Sequence, residues 1–379
     1  MRVLHVNQRA GFFGGVERIL HDTAASLAVD GWPQALLHED VDPDARFTGP
    51  FEIAASDPEI VDRFQPDIVL VHKTGQPEKT DSLTHTRPTA RMVHDHDLVC
   101  LRRHKYLPVS GRVCDRAAGR SCYTNLCFVQ RSAPGSVFPI AFRGLYAQRR
   151  EMASNRAMRR YIVGSRWMRE QLEKNGFPAG RIDVVHPIPR VLEGLQPFAP
   201  SGQQEILYVG QVIRGKGVDL LLRALARLDR PWRTTIVGDG NHLQACRDLA
   251  SELGIGDRVR FTGWVDHEAL GAFYSAACFA VVPSRWPEPF GMVGPEAMAR
   301  GRPVVAFSAG GIPDWLADGV SGLLVPPGDV QGLAAAMGRL LADPGLAAHM
   351  GQAAARQVRN HLSHRGYLDS LKRSLEATQ

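Results

Sequence analysis

The stretch "CFAVVPSRWPEPFGMVGPEAMARGRPVVAF", residues 278–307, carries the order of elements that decides the fold. It opens on "CFAVVPS" (278–284), a short and almost unbroken apolar run. A strand that is apolar at successive positions, without alternation, belongs in a parallel sheet covered on both faces. The loop "RWPEPFGMVG" follows, and Pro295 suits the first position of a helix, "PEAMAR", because its missing N–H would have had no partner there. "RPVVAF" is then a second buried strand. Strand, loop, helix, strand is one step of a doubly wound sheet. Glu288 and Glu296, eight positions apart, fall at its carboxyl-end corner, where such sheets place functional loops.

The same alternation extends to both sides. Downstream, "IPDWLADG" reads as a helical turn and "GLLVPP" as a strand; upstream stand "EILYVG", "RTTIVGDG" and "VRFTGWV" as strands and "VDLLLRALARL" as a helix. An earlier series begins with "RVLHV", a loop and a helix from about Gly15, with Val16, Ile19, Leu20, Thr23 and Leu27 at helical spacing. It continues through the strands "PDIVLVH", "TARMVH" and "RRYIVGS". A length of 379 residues suits two cores better than one. The expected architecture is α/β: two Rossmann-like doubly wound domains whose functional loops face an interdomain cleft. The first spans 1–186, with an aperiodic, cysteine-bearing insertion at 100–135. Residues 187–203, rich in Pro and Gly, form a linker; 204–358 form the second domain, and 359–379 a closing helix.

Charge is unevenly spread. Residues 100–170 hold 15 Lys/Arg against three acidic residues, so the net +6 of the chain conceals a basic block. Such a block fits an anionic partner, or simply a solvated face. Within it, 138–160 reads as a basic amphipathic helix, resting on an anionic membrane or covering the sheet. No apolar run approaches the ~18 residues needed to span a bilayer, and "MRVLHVNQRAGFFGG" lacks a signal-peptide core. A cytoplasmic protein is expected, with peripheral contact at the inner membrane face through 138–169 as the further option. Four of the six cysteines, Cys100, Cys114, Cys122 and Cys127, are bunched. A structural metal such as zinc, buried thiols and a redox pair all remain open, since the spacing lacks a tight C-x2-C. His96 and His104 lie near them; surface positions are the expected state for both.

The corner at 283–301 has a definite chemistry. Unpaired backbone N–H groups among Phe290, Gly291, Met292 and Val293 can bind an anion or sugar oxygens. Ionised carboxylates accept only, so Glu288 and Glu296 suit a ligand rich in hydroxyls. Two glycosidase carboxylates would be the alternative, and the helix dipole alone accounts for Glu296 but not Glu288. Phosphate-binding features elsewhere favour the first reading. "GFFGGVER" places Gly14 and Gly15 where a strand meets a helix, and "VGQVIRGKGVD" places Arg214 and Lys216 ahead of another.

Taken together, "GGVER", "VHDHDLVC", "VGQVIRGKG", "VGDG", "FTGWV" and the long run from "PSRWPEPFGMVGPEAMARG" to "LLVPPGD" resemble the family-4 retaining glycosyltransferases of the GT-B fold. The resemblance is strongest from 205 to 330. It implies a nucleotide-sugar donor, UDP-sugar ahead of GDP-sugar, held mainly by the second domain, with no cofactor or catalytic metal required. It also implies an acceptor hydroxyl at the first domain and a closing helix that crosses back to that domain. Glu296 would hold the ribose hydroxyls and Glu288 those of the sugar. The amides of Gly291, Met292 and Val293 would face sugar and phosphate, Lys216 and Gly15 the diphosphate, and Val265 the base. His94 would stand near the sugar and the acceptor. One departure stands out. The family commonly has Arg where Gln211 stands, and Arg214 is the candidate to supply the missing charge. The "DHD" at 95–97 is a weak metal candidate.

Rival functions are a GT-B-like sugar-nucleotide epimerase or phosphorylase, and a basic nucleic-acid or membrane module. Nucleic acid is disfavoured because aromatics in the basic block lack platform spacing. The expected partners are a nucleotide sugar and an acceptor, the latter anionic or lipid-linked in one version.

Overall fold

A computed structural model describes residues 1–75, 77–132, 136 and 138–379, the side chains of 77–81 and 131 excepted. Positions 133–135 of the expected insertion lie outside the described residues. The chain divides into two α/β units. The first comprises Met1–Arg103, Asp115–Arg190 and His364–Gln379; the second comprises His104–Cys114 and Val191–Ser363.

The first unit contains β1 (Val3–Val6), β2 (Gln34–Leu37), β3 (Ile53–Ala55), β4 (Ile68–Val71), β5 (Thr89–Val93), β6 (Val129–Arg131), β7 (Ile140–Phe142), β8 (Arg160–Val163) and β9 (Ile182–Val184). Seven of these form a parallel sheet in the order β3-β2-β1-β4-β5-β8-β9. The chain therefore runs outward one way from β1 and the other way from β4, which makes a switch point between them. β1, β2, β4 and β5 are buried along their whole lengths, as apolar strands covered on both faces should be. The helix Gly15–Val29 turns Ile19, Leu20, Ala24 and Leu27 inward. The terminal helix His364–Glu376 lies on it: Tyr367 hydrogen-bonds Thr23 at 2.7 Å, and His364 Nε2 meets Ser26 Oγ at 2.8 Å.

The second unit contains β10 (Glu205–Val209), β11 (Arg233–Val237), β12 (Val259–Gly263), β13 (Phe279–Val282), β14 (Val304–Phe307) and β15 (Gly322–Val325), all parallel in the order β12-β11-β10-β13-β14-β15. Its switch point lies between β10 and β13. The helix Val218–Leu225 buries Val218, Leu221, Leu222, Ala224 and Leu225 against this sheet. Each fully buried leucine there contributes roughly 1.5–3 kcal/mol from removal of apolar surface from water.

Several expectations need correction. The helix expected over 138–160 is Leu145–Arg156 only; β7 precedes it and pairs antiparallel with β6. Pro139 cannot donate to a helix, Gly144 is extended at φ −83°, ψ 156°, and Phe138, Ile140 and Phe142 recur at period two. The boundary expected at 358 falls inside the helix Pro344–His361, which belongs to the second unit. The chain changes unit at Arg190, within the expected linker, and His104–Cys114 of the expected insertion belongs to the second unit. The helix after β13 starts at Val293 rather than Pro295. Pro295 is still harmless there, because the N–H groups of a helix's first turn have no intrahelical acceptor.

Candidate active site

The second unit's switch point holds its most tightly specified polar cluster. The loop leaving β10 is stitched to the one leaving β11, with Gly210 N donating to Val237 O at 3.0 Å and Val212 N to Asp239 O at 2.8 Å. It then forms a 3-10 turn, Arg214–Lys216, ending at Gly217 with φ +72°. A Cβ on Gly217 would lie 1.9 Å from the Pro283 carbonyl oxygen, so only glycine lets this loop press against the one leaving β13. That contact carries Lys216 to Glu288, with Nζ at 2.7 Å from Oε1 and 2.9 Å from Oε2. Ser284 Oγ donates to Oε1 at 2.5 Å. Behind the carboxylate, Gly311 N donates to the Glu288 carbonyl at 2.7 Å, and a Cβ on Gly310 would sit 2.3 Å from that same oxygen. Glu288 is only 5% exposed. Its charge is compensated by an ammonium and a hydroxyl, the condition under which a carboxylate persists inside a protein.

The following loop is clamped. Trp315 donates from Nε1 to the Phe290 carbonyl at 2.6 Å, and its ring lies under Gly294, where a Cβ would come within 1.9 Å of it. Phe290 is buried, so its ring belongs to the core. Gly291 has φ +91° and leads into Met292 and Val293 at the helix start, where amides point outward without intrahelical partners. Glu296 lies in the first turn, with Oε1 3.6 Å from His267 Nε2. His267 follows β12, so the half-buried Val265 and the helix start converge through this pair. Burial, and then the Glu296 carboxylate, push the Tyr274 phenol well above its ordinary range. Gln211 and Arg214 are exposed. The Gln211 carbonyl accepts from Tyr208 Oη at 2.8 Å, and the Arg214 carbonyl from Arg285 at 3.0 Å. Arg285 is fixed in turn on Asp219, at 2.6 and 2.5 Å.

Sequence reading missed Ser284, Trp315, His267 and the Arg285–Asp219 pair. Ser284 alone had a local signal, as the last residue of a buried strand's carboxyl end. It also missed the segment His104–Cys114, whose Tyr106 lies against Gly215 and whose His104 ring sits 4.9 Å from that of Trp286.

In the first unit, Gly14 caps the helix that follows β1 and Gly15 is its first residue. A Cβ on Gly15 would meet nothing within 4 Å, so packing does not account for the missing side chain. His94, half-buried just after β5, has Nε2 2.8 Å from His72 Nδ1, and burial lowers its imidazole to about 3. Asp95 and Asp97 are not set up as metal ligands. Lys73 pairs with Asp95 at 2.6 Å and Arg91 approaches Asp97 at 3.9 Å. Burial and then Asp95 raise Asp97 to about 6. Nor is His96 a surface residue: it is buried against Trp167, at 5.1 Å between rings, and His104 is half-buried between Tyr106 and Trp286. The metal site considered for the cysteines is also corrected. Among the described residues no three His, Cys, Asp or Glu side chains gather as ligands. None of the four cysteines is in a disulfide; Cys122 lies in the helical turn Ser121–Thr124 and Cys127 just beyond it, while Cys114 belongs to the second unit.

Comparison with known proteins bears on the fold and on residues 196–357. Residues 196–357 match the family model "Glycosyl transferases group 1". Glycogen synthase of Mycobacterium tuberculosis is 37% identical over 188 residues, covering 49% of this chain and 43% of that protein. The chain thus spans a little under half the length of the curated relatives it matches. Among solved structures, sucrose-phosphate synthase of Thermosynechococcus elongatus superposes with a TM-score of 0.75 at 22% identity, covering 100% of both chains. HepE of Anabaena in complex with UDP-glucose superposes with a TM-score of 0.72 at 20% identity, again over 100% of both. Residues 196–357 are similar to the group 1 glycosyl transferases, and the chain as a whole has the GT-B fold, two α/β units built on parallel sheets.

Proposed function

We propose that this chain is a retaining glycosyltransferase that moves a sugar from a nucleotide sugar, UDP-sugar in the first instance, to an acceptor hydroxyl. The observation that carries this reading is the Lys216–Glu288–Ser284 cluster at the second unit's switch point, beside the amides of Gly291, Met292 and Val293. Two of the three Lys216 N–H donors serve Glu288, which leaves one for a diphosphate oxygen. In this account Glu288 orients the sugar hydroxyls, Glu296 takes the ribose hydroxyls, and Val265 lines the base. Arg214 adds the charge that Gln211 lacks, and Gly14 and Gly15 allow close approach to the phosphates. His94 meets the sugar or the acceptor. Departure of the nucleoside diphosphate leaves an oxocarbenium-like sugar. The chain's contribution is then electrostatic, with Lys216 and the helix amides stabilising charge that grows on the leaving group. The UDP-glucose complex of HepE supports the donor class.

Proton NMR of the protein incubated with UDP-glucose and simple alcohol or sugar acceptors tests this. Release of UDP with an α-linked product supports it; a β-linked product contradicts retention. A changed nucleotide sugar without acceptor would make the protein an epimerase, and dependence on free phosphate a phosphorylase.

A second reading concerns the acceptor. Phe138, Ile140, Phe142 and Tyr146 are 74%, 51%, 75% and 82% exposed, within the segment rich in arginine. Exposed aromatic and aliphatic side chains among cations suit an anionic lipid surface, and so a lipid-linked acceptor. Among the described residues no helix is long and apolar enough to cross a membrane. Co-sedimentation with vesicles of anionic lipid, lost in the double variant Phe138→Ser, Phe142→Ser, is the expected result; background binding by the wild type would contradict it.

A further inference from the structure

Behind His94 the first unit contains three polar side chains, Gln34, His5 and His72, that no role yet explains and that form with it a line of four. The strand register generates it. Gln34 is level with Val3, so it lies two residues short of His5 on the neighbouring strand. Val6 is level with Val71, which places His72 two residues beyond His5. Val71 is level with Arg91, which places His94 two residues beyond His72. Every step crosses one strand and advances two positions. Side chains alternate faces with period two, so all four share one face of β2, β1, β4 and β5.

They are hydrogen-bonded end to end. Gln34 Oε1 is 2.7 Å from His5 Nε2, His5 Nδ1 is 2.9 Å from His72 Nε2, and His72 Nδ1 is 2.8 Å from His94 Nε2. The rings stack, with centroids 5.2 and 5.1 Å apart and planes inclined by 22° and 17°. Gln34 and His5 are 0% exposed and His72 is 1% exposed, so water does not enter the line at its inner end.

The direction of the line follows from its inner end. Gln34 Nε2 donates to the carbonyls of Trp32 at 2.7 Å and Pro33 at 3.2 Å. Carbonyls accept only, so the amide nitrogen must face them and Oε1 must face His5. His5 therefore carries its proton on Nε2. A neutral imidazole has one N–H, so His5 Nδ1 accepts from His72 Nε2–H, and His72 Nδ1 accepts from His94 Nε2–H. Burial holds all three rings neutral. The remaining nitrogen, His94 Nδ1, is left with a lone pair, and among the described residues no side chain hydrogen-bonds it.

We propose that Gln34, His5 and His72 are positioning residues that fix the tautomer of His94, so that its Nδ1 accepts a hydrogen bond from a substrate hydroxyl and never donates one. The assignment of a hydroxyl as ligand rests on the glycosyltransferase reading; the tautomer does not. A ring free to adopt either tautomer would present a donor part of the time and repel a hydroxyl proton.

The test is ring 15N NMR of the full chain at pH 7, with His94 assigned by its loss in His94→Gln. The expected spectrum has a protonated, pyrrole-type Nε2 and an unprotonated, pyridine-type Nδ1 in His94. A protonated Nδ1, or a cationic ring, would overturn the proposal. Gln34→Met removes the accepting oxygen at similar volume and should give mixed tautomers at His94, while Gln34→Glu restores the oxygen and the single form. An unchanged His94 in folded Gln34→Met would also overturn it. Should Gln34→Met not fold, His72→Phe cuts the line further out and must release His94 in the same way. In turnover, Gln34→Met should lower kcat/KM roughly tenfold, about one hydrogen bond, with nucleoside diphosphate affinity unchanged. A fixed tautomer in a protein that transfers no sugar would sink the function and leave the wire standing.

Discussion

Lys216 and Glu288 depend on each other as residues before any ligand arrives. Lys216→Ala leaves a buried carboxylate with, among the described residues, only the Ser284 hydroxyl hydrogen-bonded to it, so it should lower thermal stability as well as nucleotide affinity. Lys216→Arg, which retains the charge, should recover the stability in a melt. Gly15 offers a cleaner separation, because its missing side chain answers to no protein contact. Gly15→Ala should change stability by no more than ~0.5 kcal/mol, the ordinary range for a surface position, read as a nearly unchanged melting temperature. Donor binding by calorimetry should nevertheless weaken severalfold if phosphate passes close to that backbone. Equal donor affinity in Gly15→Ala and wild type would remove Gly15 from the site. Gly310→Ala is the opposite case. Its Cβ would collide with the Glu288 backbone at 2.3 Å, at φ +66°, and the variant should unfold at distinctly lower temperature. Glu288, Lys216 and the amide-bearing loop were legible in the sequence because carboxylates, cations and glycines bunch at strand ends. Trp315 and His267 were not, since a tryptophan and a histidine have no such signal until the loops are seen to meet, and Ser284 had only its place at a buried strand's carboxyl end.

At the scale of elements, legibility followed the length of the apolar run. β4, β13 and β14 are continuous apolar runs and β1 and β10 are broken only by His5 and Glu205, and the requirement that a parallel strand be covered on both faces makes them readable one at a time. β2, β3 and β9 were passed over: "QALL", "IAA" and "IDV" are three or four residues long and are strands only because a neighbour supplies the ladder. β7 was read as the start of a helix because arginines and apolar residues at mixed spacing satisfy both periods, and only Pro139 and Gly144 argue against the helix, while β6 lay in the stretch read as an aperiodic insertion. The terminal helix is held by a buried apolar face, Leu368, Leu371 and Leu375, together with side-chain hydrogen bonds. Tyr367→Phe removes the hydrogen bond to Thr23 and should cost about 1 kcal/mol, read as a shift in urea midpoint. A neutral result would mean that apolar contacts of Leu368, Leu371 and Leu375 suffice to hold it.

For the whole molecule, the histidine line makes stability depend on pH. His5 is lowered to about 4 and His94 to about 3, chiefly by burial, and burial also holds His72 well below the ordinary imidazole range. Unfolded histidines take up protons near 6.5, so between about 6.5 and 4 the unfolded chain binds more protons and stability falls as pH falls. Lys73 and Arg91 reinforce this at His94, and Asp95 opposes it. Asp97, raised to about 6, works the other way between about 4 and 6, so the histidines prevail by number. Thermal denaturation should lose roughly 2 kcal/mol per histidine between pH 7 and pH 5; a flat profile would mean that these rings are not held neutral. The central claim, that the second unit binds the diphosphate of a nucleotide sugar at Lys216 and Glu288, is tested most directly by melting the protein with millimolar UDP, GDP, ADP and TDP, with and without Mg²⁺. Ligand at about a hundred times its dissociation constant should stabilise by roughly 2.7 kcal/mol. The account predicts a shift with one nucleotide, UDP first, that disappears in Lys216→Ala. No shift with any of the four, or one that survives in Lys216→Ala, would contradict it.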